Sequence, residues 1–260
     1  MTRRLEGKTA LITGASRGIG AAIAEACAAA GANLALCARQ APPLERLAAR
    51  LREEYGIDAL ACPCDVADRD AVQAAVARAE AWRPLDVLVN NAGVYAAGRF
   101  VDFPAEEFRR MLEVNVLGVV RVTQAVLPGM IARGAGRVIN LASTAGKWGT
   151  RNQSAYNASK HAVIGLTRCL ALELAPQGVL VNAICPWIVD TDLGEELVAG
   201  LARSAGVPVE TFGETLRNAV PLKRLVRPAE VAGLAVYLAS DEASYVNGQS
   251  WAVDGGYTMV

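Results

Sequence analysis

The feature of this chain that most constrains its fold is a regular alternation of short apolar runs with longer helical patterns. Amphipathic stretches such as "PPLERLAARLREEYG", with proline at the start and glycine at the end, carry the punctuation of helices. The apolar runs are "KTALIT", "NLALCA", "DALACPC", "DVLVN", "GRVINLAS", "GVLVNAIC" and "QSWAVDGG". Continuous apolar strands that alternate with helices are typical of a parallel sheet covered on both faces. Right-handed crossovers then predict a doubly wound α/β sheet of about seven strands.

Composition excludes several classes of protein. The 260 residues are 53% hydrophobic and 20% charged, which is enough to build a large core and is unlike a disordered chain. The 26 basic and 26 acidic residues leave a formal net charge of +0, which disfavours nucleic acid as a partner. The apolar run after Arg3 and Arg4 is too short for a signal peptide or a membrane span. We therefore expect a cytoplasmic protein that does not bind membranes.

The cysteines and histidine predict no metal site. Cys62 and Cys64 form C-P-C, not C-x-x-C, and His161 is the sole histidine, so a zinc site lacks ligands. Most of the six cysteines lie in apolar runs, where cysteine behaves as a small hydrophobic residue. The expected state is reduced and free of disulfides.

A glycine-rich loop, "TGASRGIG" from Thr13 to Gly20, directly follows the first strand and opens the first helix. Glycines allow a tight turn and a close approach of the backbone to a ligand, and a helix N-terminus offers free N–H groups to phosphate. The spacing is not the common G-x-G-x-x-G, and a purely structural turn is the alternative. Its place in the first βα unit favours a dinucleotide site in a Rossmann-type sheet.

The end of the second strand indicates which dinucleotide is bound. An acidic residue there would accept hydrogen bonds from the adenosine ribose, but this chain has "CARQ", with Arg39 and no carboxylate. Arg17 lies in the glycine loop nearby. Two guanidinium groups without an acid favour the 2′-phosphate of NADP(H) over NAD, although each arginine alone could be a surface charge.

Residues 187–227, between the sixth strand and the last helix, interrupt the alternation. The segment is too long for a plain connection and mixes glycines with apolar residues such as Leu197 and Phe212. We predict that it forms a substrate lid.

The stretch "SAYNASKHA" places Tyr156 four residues before Lys160. Positions i and i+4 lie on one face of a helix, so the phenol and the ammonium could reach the same space. The alternatives are a solvated helix face and a catalytic pair. His161 lies about 100° further round the helix and is interpreted as a packing or surface residue.

Together these motifs resemble the short-chain dehydrogenase/reductase family, and the resemblance covers nearly the whole chain. The glycine loop matches T-G-x-x-x-G-I-G, "NNAG" follows the fourth strand, and "CDV" places Asp65 where the family binds adenine. "NVLG", the serine that closes the fifth strand and "YNASK" supply the family's four catalytic positions in order. Those catalytic residues are Asn115, Ser143, Tyr156 and Lys160.

The resemblance implies a role for each catalytic residue. Tyr156 is the general acid for carbonyl reduction, and a nearby Lys160 ammonium is expected to lower its pKa from about 10. Ser143 hydrogen-bonds the developing oxyanion. Lys160 also binds the nicotinamide ribose, and Asn115 holds a water that links Lys160 to solvent.

The resemblance also implies the cofactor and substrate sites. The residues expected to bind NADP(H) are Gly14, Ser16, Arg17, Gly18, Ile19, Gly20, Arg39, Asp65, Val66, Asn91, Gly93, Tyr156, Lys160 and Thr191. The residues expected to line the substrate pocket are Tyr95, Lys147, Trp148 and Trp187. Trp187 departs from the family, which usually has Pro-Gly where this chain has Pro186-Trp187; it either walls the pocket or packs under the lid.

The sequence therefore predicts a single NADP-binding Rossmann-type oxidoreductase domain over residues 1–260. The stretch "STAGKWGTRNQSAYNASKHAVIGLTR" is similar to acyl-carrier-protein reductases and polyketide ketoreductases, which implies reduction of a β-keto (thio)ester or cyclic ketone. The alternatives are an NAD-dependent alcohol or hydroxy-acid dehydrogenase and a dinucleotide-binding regulator without turnover. Two long helices, near 104–132 and 154–175, carry apolar residues on more than one side, and the family packs their equivalents into a homotetramer.

Overall fold

A computed structural model describes residues 3–259. Within these residues the chain forms one seven-stranded sheet in the order β3-β2-β1-β4-β5-β6-β7, and every neighbouring pair is parallel. The strands are β1 (Thr9–Thr13), β2 (Asn33–Ala38), β3 (Ala59–Pro63), β4 (Val87–Asn90), β5 (Gly136–Leu141), β6 (Val179–Pro186) and β7 (Ser250–Val253). Each lies in one of the seven apolar runs, so the predicted fold class is confirmed.

Nine α-helices join the strands of the described chain. They are α1 (Gly18–Ala29), α2 (Ala41–Tyr55), α3 (Arg69–Trp82), α4 (Ala105–Leu112), α5 (Gly118–Arg133), α6 (Ser154–Leu174), α7 (Asp192–Ala205), α8 (Val209–Ala219) and α9 (Pro228–Ala239). A π-helical turn, Glu113–Leu117, joins α4 to α5. Hydrophobic clusters on the two sides of the sheet bury both of its faces, as a parallel sheet requires.

Local sequence explains where the helices begin and end. α2 has proline in its first turn and ends at Gly56, whose φ of 66° is in the left-handed region. The side chain of Asp68 caps α3 by accepting hydrogen bonds from the backbone N–H groups of Asp70 and Ala71. These signals are short-range, which is why the sequence could predict them.

The run Ala105–Arg133 is long and apolar enough to cross a membrane, judged by length and composition alone. In the fold its α5 part packs against α3, β4 and β5, and Met111, Val122, Val126 and Met130 are buried. The core helix of a globular domain satisfies the same test.

The order of strands sets the position of the site. β1 lies between β2 and β4, so the connections leave in opposite directions at this point and open a crevice at the carboxyl ends of the strands. The segment 187–227, hereafter the lid segment, contains α7 and α8, and a bridge between Val189 and Val226 joins its two ends outside the strands of the sheet. It is therefore largely helical, with its two helices beside the crevice.

Candidate active site

The glycine loop after β1 forms a cradle that side chains would fill. A Cβ atom at Gly14, whose φ is 64°, would lie 2.8 Å from Nδ2 of Asn91, and one at Gly20 would collide with the carbonyl oxygen of Gly14. Gly18 has a φ of 56°, which L-residues rarely adopt. The loop can close on a ligand only because these positions have no side chain.

Asn91 braces the cradle from β4. Its Nδ2 donates to the carbonyl oxygens of Thr13 (3.0 Å) and Gly14 (3.1 Å). The hydroxyl of Thr13 in turn accepts from the backbone N–H groups of Asn91 (3.0 Å) and Ala92 (3.1 Å). The sequence assigned Asn91 to cofactor binding; the structure shows that it holds the loop in shape, and that Thr13 does so too.

The N-terminus of α1 fits the pyrophosphate of a dinucleotide. Within residues 3–259 no side chain caps this helix, so the N–H groups of its first turn face the crevice. Ser16, Gly18 and Ile19 are half-buried at the same place, and Ile19 lines the adjoining cavity. These residues would hold the phosphates of NADP(H).

The two arginines lie in different surroundings. Nη1 of Arg17 forms an ion pair with Oδ2 of Asp192 at 3.0 Å, which links the glycine loop to the first residue of α7. Arg39 is exposed at the end of β2 and has no ion pair among the described residues. Arg39 is therefore placed to meet a 2′-phosphate directly, whereas Arg17 would first have to leave Asp192.

The adenine side of the crevice is built from the segment after β3. Oδ1 of half-buried Asp65 accepts from the backbone N–H of Ala67 at 3.0 Å. Val66 is buried against Gly118, where a Cβ atom would lie only 2.8 Å from a Val66 methyl group. On the other side of the crevice a Cβ atom at Gly93 would lie 3.9 Å from Nζ of Lys160, so this exposed glycine leaves room beside the ammonium.

Asn115 lies in the π-helical turn and is buried. Its Oδ1 accepts from the backbone N–H of Val94 (2.8 Å), and its Nδ2 donates to the Val94 carbonyl (3.0 Å) and to Oγ of Ser159 (3.1 Å). The side chain thus ties the end of β4 to α6. A relay water would have to contact an oxygen atom of Asn115, because both N–H groups of the side-chain amide are engaged.

Lys160 is buried beside the end of β5, where its Nζ donates to the Leu141 carbonyl at 2.7 Å. Burial lowers the pKa of Lys160 to about 8. Its Nζ lies 5.7 Å from the ring centroid of Tyr156. Tyr156 and Lys160 thus share one side of α6, as the i, i+4 spacing predicts, and this side faces the sheet and the cavity.

Ser143 and Tyr156 meet at the wall of a cavity of about 780 Å³. Their hydroxyl groups share a hydrogen bond. Oγ of Ser143 also accepts from the backbone N–H of Ala145 (3.1 Å) and donates to the Pro186 carbonyl at 3.4 Å. A carbonyl oxygen in this cavity can be reached by both hydroxyl groups.

The expected lowering of the Tyr156 pKa by Lys160 is wrong for the protein alone. Burial is the main cause and raises the pKa of Tyr156 to about 12, while the hydrogen bond with Ser143 acts in the opposite direction. Lys160 is turned toward the Leu141 carbonyl, and its ammonium hydrogen-bonds that oxygen. The sequence spacing could not show this, because desolvation depends on the whole surrounding fold.

The structure separates the four residues expected in the substrate pocket. Trp148 and Trp187 line the cavity. Tyr95 does not line it; its ring packs edge-on against Tyr156 with centroids 5.1 Å apart. Lys147 lies outside the lining as well, in the turn after Ser143. The sequence placed both near the catalytic residues but could not say which way they turn.

Trp187 proves to do both things that the sequence left open. It is only 8% exposed and belongs to the hydrophobic core, yet it also lines the cavity. Thr191 lines the cavity too and caps α7 by accepting from the backbone N–H of Gly194 at 3.2 Å.

Three residues that the sequence analysis did not select also belong to the site. Tyr257, from the end of the chain, lines the cavity beside Trp187. The side chain of Asn157 donates to the Trp148 carbonyl at 2.9 Å. Gln153 is buried one residue before α6 and lines the cavity. Asn157 lies within the "YNASK" stretch, but no sequence signal points to Tyr257.

Of the other reactive groups, the buried thiol of Cys185 lies near Tyr156 and Lys160, where its ionised form would raise the pKa of both. All six cysteines are free thiols. Among residues 3–259, no group of three or more His, Cys, Asp and Glu side chains is arranged to hold a metal ion. His161 is exposed, and its Nδ1 contacts the carbonyl of Asn157 at 2.9 Å.

A glycine cradle, a buried lysine and a serine–tyrosine pair at the carboxyl edge of a doubly wound sheet define a dinucleotide-dependent oxidoreductase. The chain belongs to the short-chain dehydrogenase/reductase family. Residues 14–258 match the family model described as enoyl-(acyl carrier protein) reductase.

Proteins similar to this chain differ from one another in their cofactor and in their substrate. Oxidoreductase UcpA of Salmonella typhimurium is 44% identical over 258 residues, which are 98% of this chain and 96% of UcpA. A single-residue variant of actinorhodin polyketide ketoreductase, solved with NADPH, is 38% identical with a TM-score of 0.93 and full coverage of both chains. A xylitol dehydrogenase solved with NAD⁺ is 34% identical with a TM-score of 0.94, covering 97% of this chain and 100% of that one.

Proposed function

We propose that this protein is an NADPH-dependent ketoreductase that reduces a β-keto (thio)ester or a cyclic ketone. The observation that carries the proposal is the hydrogen-bonded Ser143–Tyr156 pair in the wall of a cavity of about 780 Å³, with Lys160 buried close by. The likeness to a polyketide ketoreductase solved with NADPH supports the substrate class.

The chain's own residues would handle the proton. NADP(H), when bound, supplies the hydride. The raised pKa of Tyr156 keeps this side chain protonated near neutral pH. Its hydroxyl group is therefore ready to donate a proton to the substrate oxygen. Ser143 donates a hydrogen bond to the same oxygen as negative charge develops there. Lys160, with a pKa near 8, can return a proton toward Tyr156.

The first test is consumption of NADPH with ethyl acetoacetate, an acetoacetyl thioester and cyclohexanone. Turnover with at least one of them, lost in Tyr156→Phe, is the expected result. Binding of NADPH without turnover on any carbonyl would favour a dinucleotide-binding regulator. Oxidation of a secondary alcohol or hydroxy acid with NAD⁺, and no ketone reduction with NADPH, would favour the alternative dehydrogenase.

Preference for NADP(H) rests on Arg39. This guanidinium is exposed at the end of β2, where a carboxylate would disfavour a 2′-phosphate and the sequence has none. Arg39→Ala should weaken NADPH binding by about 1.5–3 kcal/mol, the scale of a charge-assisted hydrogen bond, and change NADH binding little.

Isothermal titration with both cofactors measures this difference. Arg109→Ala is the matched control, because it removes the same charge from an exposed position on α4. Equal weakening of NADPH and NADH in Arg39→Ala would contradict the assignment.

We further propose a cytoplasmic homotetramer. Apolar side chains are exposed on α5 and α6, where Ile131 is 39% exposed and Leu172 is 80% exposed. Leu172→Glu should shift the species seen by light scattering to a smaller one, whereas Val209→Glu, in α8, should not. A monomeric wild-type protein at micromolar concentration would contradict the proposal.

A further inference from the structure

Three aromatic rings from separate parts of the chain meet at one wall of the cavity. The ring centroids of Trp148 and Tyr257 are 5.0 Å apart with planes at 86°, and those of Trp187 and Tyr257 are 5.0 Å apart with planes at 39°. All three residues line the cavity that Ser143 and Tyr156 also line. We call Trp148, Trp187 and Tyr257 the aromatic wall.

The two tryptophans are fixed to the catalytic residues. Trp187 follows Pro186, whose carbonyl accepts from Oγ of Ser143 at 3.4 Å. The carbonyl of Trp148 accepts from Nδ2 of Asn157, the residue after Tyr156 in α6. The wall therefore lies at a set distance from the reacting hydroxyl groups.

Tyr257 is held just as firmly. Buried Asp254 accepts hydrogen bonds from the backbone N–H groups of Gly256 (3.0 Å) and Thr258 (2.8 Å). The turn packs on the end of α8, since a Cβ atom at Gly255 would lie 2.8 Å from a Val220 methyl group. The backbone that carries the Tyr257 ring is therefore held by hydrogen bonds within its own turn.

The wall presents ring surface that the protein itself does not cover. Trp187 is 8% exposed and supports Tyr257 from the core, while Trp148 remains 36% exposed beside the cavity. The lid helices face the wall with apolar Leu197, Leu201 and Phe212. Contact with a flat, weakly polar ligand would bury this open aromatic surface, which contributes favourable free energy to binding.

We infer that the aromatic wall is a specificity subsite for a planar ring of the substrate, so that the favoured ketones are flat aromatic or fused-ring compounds. This inference rests on the proposed ketoreductase function, whose β-keto and cyclic substrates it narrows. A linear acyl chain or a polyhydroxylated ketone would make less use of three rings held in place.

A matched pair of ketones tests this directly. 1-Tetralone and 1-decalone have the same two-ring carbon skeleton, but only 1-tetralone carries an aromatic ring. Wild-type KM should be lower for 1-tetralone; KM is compared because conjugation with the ring makes this carbonyl less reactive toward hydride and so lowers kcat for a separate reason. Trp148→Leu and Tyr257→Leu should each raise KM for 1-tetralone by about five- to tenfold, with kcat changed less, because an aromatic pair contributes beyond its buried area.

Two further variants separate ring contact from other effects. Tyr257→Phe keeps the ring and should raise KM for 1-tetralone less than Tyr257→Leu does. Tyr245→Leu, at a fully exposed tyrosine, is the control for loss of a phenol elsewhere. The inference would be overturned by equal KM values of the wild type for the two ketones. It would also be overturned if the leucine variants raised KM equally for both.

A binding measurement keeps this inference distinct from the proposed function. Titration of 1-tetralone into the NADP⁺ complex, which has no hydride to transfer, should quench tryptophan fluorescence, and Trp148→Leu should weaken the binding of 1-tetralone that this titration measures. Quenching without turnover would remove the ketoreductase proposal and leave the aromatic subsite standing. Turnover with no preference for the flat ketone would support the ketoreductase proposal and remove the aromatic subsite.

Discussion

The catalytic residues and the lid segment face each other across one crevice, but they are built in opposite ways. Ser159, Lys160 and Val163 are among nine buried residues of α6, which carries the proposed catalytic tyrosine and lysine. In contrast, Gly213 is the one buried residue of α8 within the described chain. Among the described residues, the helix that carries the proposed catalytic pair thus buries more positions than the two lid helices, since α7 has three buried residues and α8 has one.

This difference suggests how the two regions divide the work. Catalytic groups must be held within a fraction of an ångström, so each has hydrogen-bond partners on another element. A lid has to open and close, so weak attachment suits it. The following predictions test the contrast, from the largest expected effect to the smallest.

Removal of the Tyr156 hydroxyl should have the largest effect. Tyr156→Phe should lower turnover about a hundred- to ten-thousand-fold, the contribution of a positioned general acid, and leave NADPH affinity close to wild type. Steady-state kinetics and cofactor titration measure the two quantities. Tyr245→Phe, at a fully exposed position, is the control. Near-wild-type turnover in Tyr156→Phe would show that the tyrosine–lysine pair has no catalytic role.

Lys160 should give the folded protein a distinctive dependence on pH. Its pKa is about 8 in the fold and near 10.5 in the unfolded chain, so between these values the unfolded chain binds more protons. The free energy of unfolding should therefore rise with pH across this window, by up to about 2–3 kcal/mol.

Urea unfolding of wild type and Lys160→Met from pH 7 to 10 measures this contribution as a difference between the two proteins. Lys223→Met, in the lid segment, should follow the wild-type curve because Lys223 is exposed. A wild-type curve parallel to that of Lys160→Met would show that the buried lysine titrates as in the unfolded chain.

Asn115 should be important for stability. Asn115→Ala removes the partners of the Val94 N–H, the Val94 carbonyl and Ser159, and should destabilise the fold by about 2–3 kcal/mol. Asn218→Ala, at an exposed position on α8, should change it by less than about 0.5 kcal/mol. Chemical denaturation of both variants measures the change in the free energy of unfolding. Equal changes in the two variants would mean that α8 is held as firmly as α6.

The smallest effect is expected at the ion pair between Arg17 and Asp192. Both side chains are about two-thirds exposed, so Asp192→Asn should change the free energy of unfolding by less than about 0.5 kcal/mol. Hydrogen exchange in α7 should nevertheless become faster, because the pair joins α7 to the glycine loop. Exchange in α7 and α8 as slow as in α6, before or after the substitution, would contradict a mobile lid.

The sequence by itself determined the features that depend on neighbours along the chain. Apolar runs and helical periods predicted the seven strands and the doubly wound fold. The glycine loop predicted the cradle at the first strand, and the spacing of Tyr156 and Lys160 predicted that they share one helix face. Such signals are local: a turn, a cap or an i, i+4 pair needs only a few adjacent residues.

Only the tertiary structure decided how these groups act on one another. Tyr257 joins Trp148 and Trp187 from more than 65 positions away in the chain, and Asp192 meets Arg17 across 175 positions. The pKa of Tyr156 is raised, and not lowered as the sequence predicted, for the same reason. Burial of the phenol is the main cause, and desolvation, unlike helix spacing, is set by every element that packs around the group.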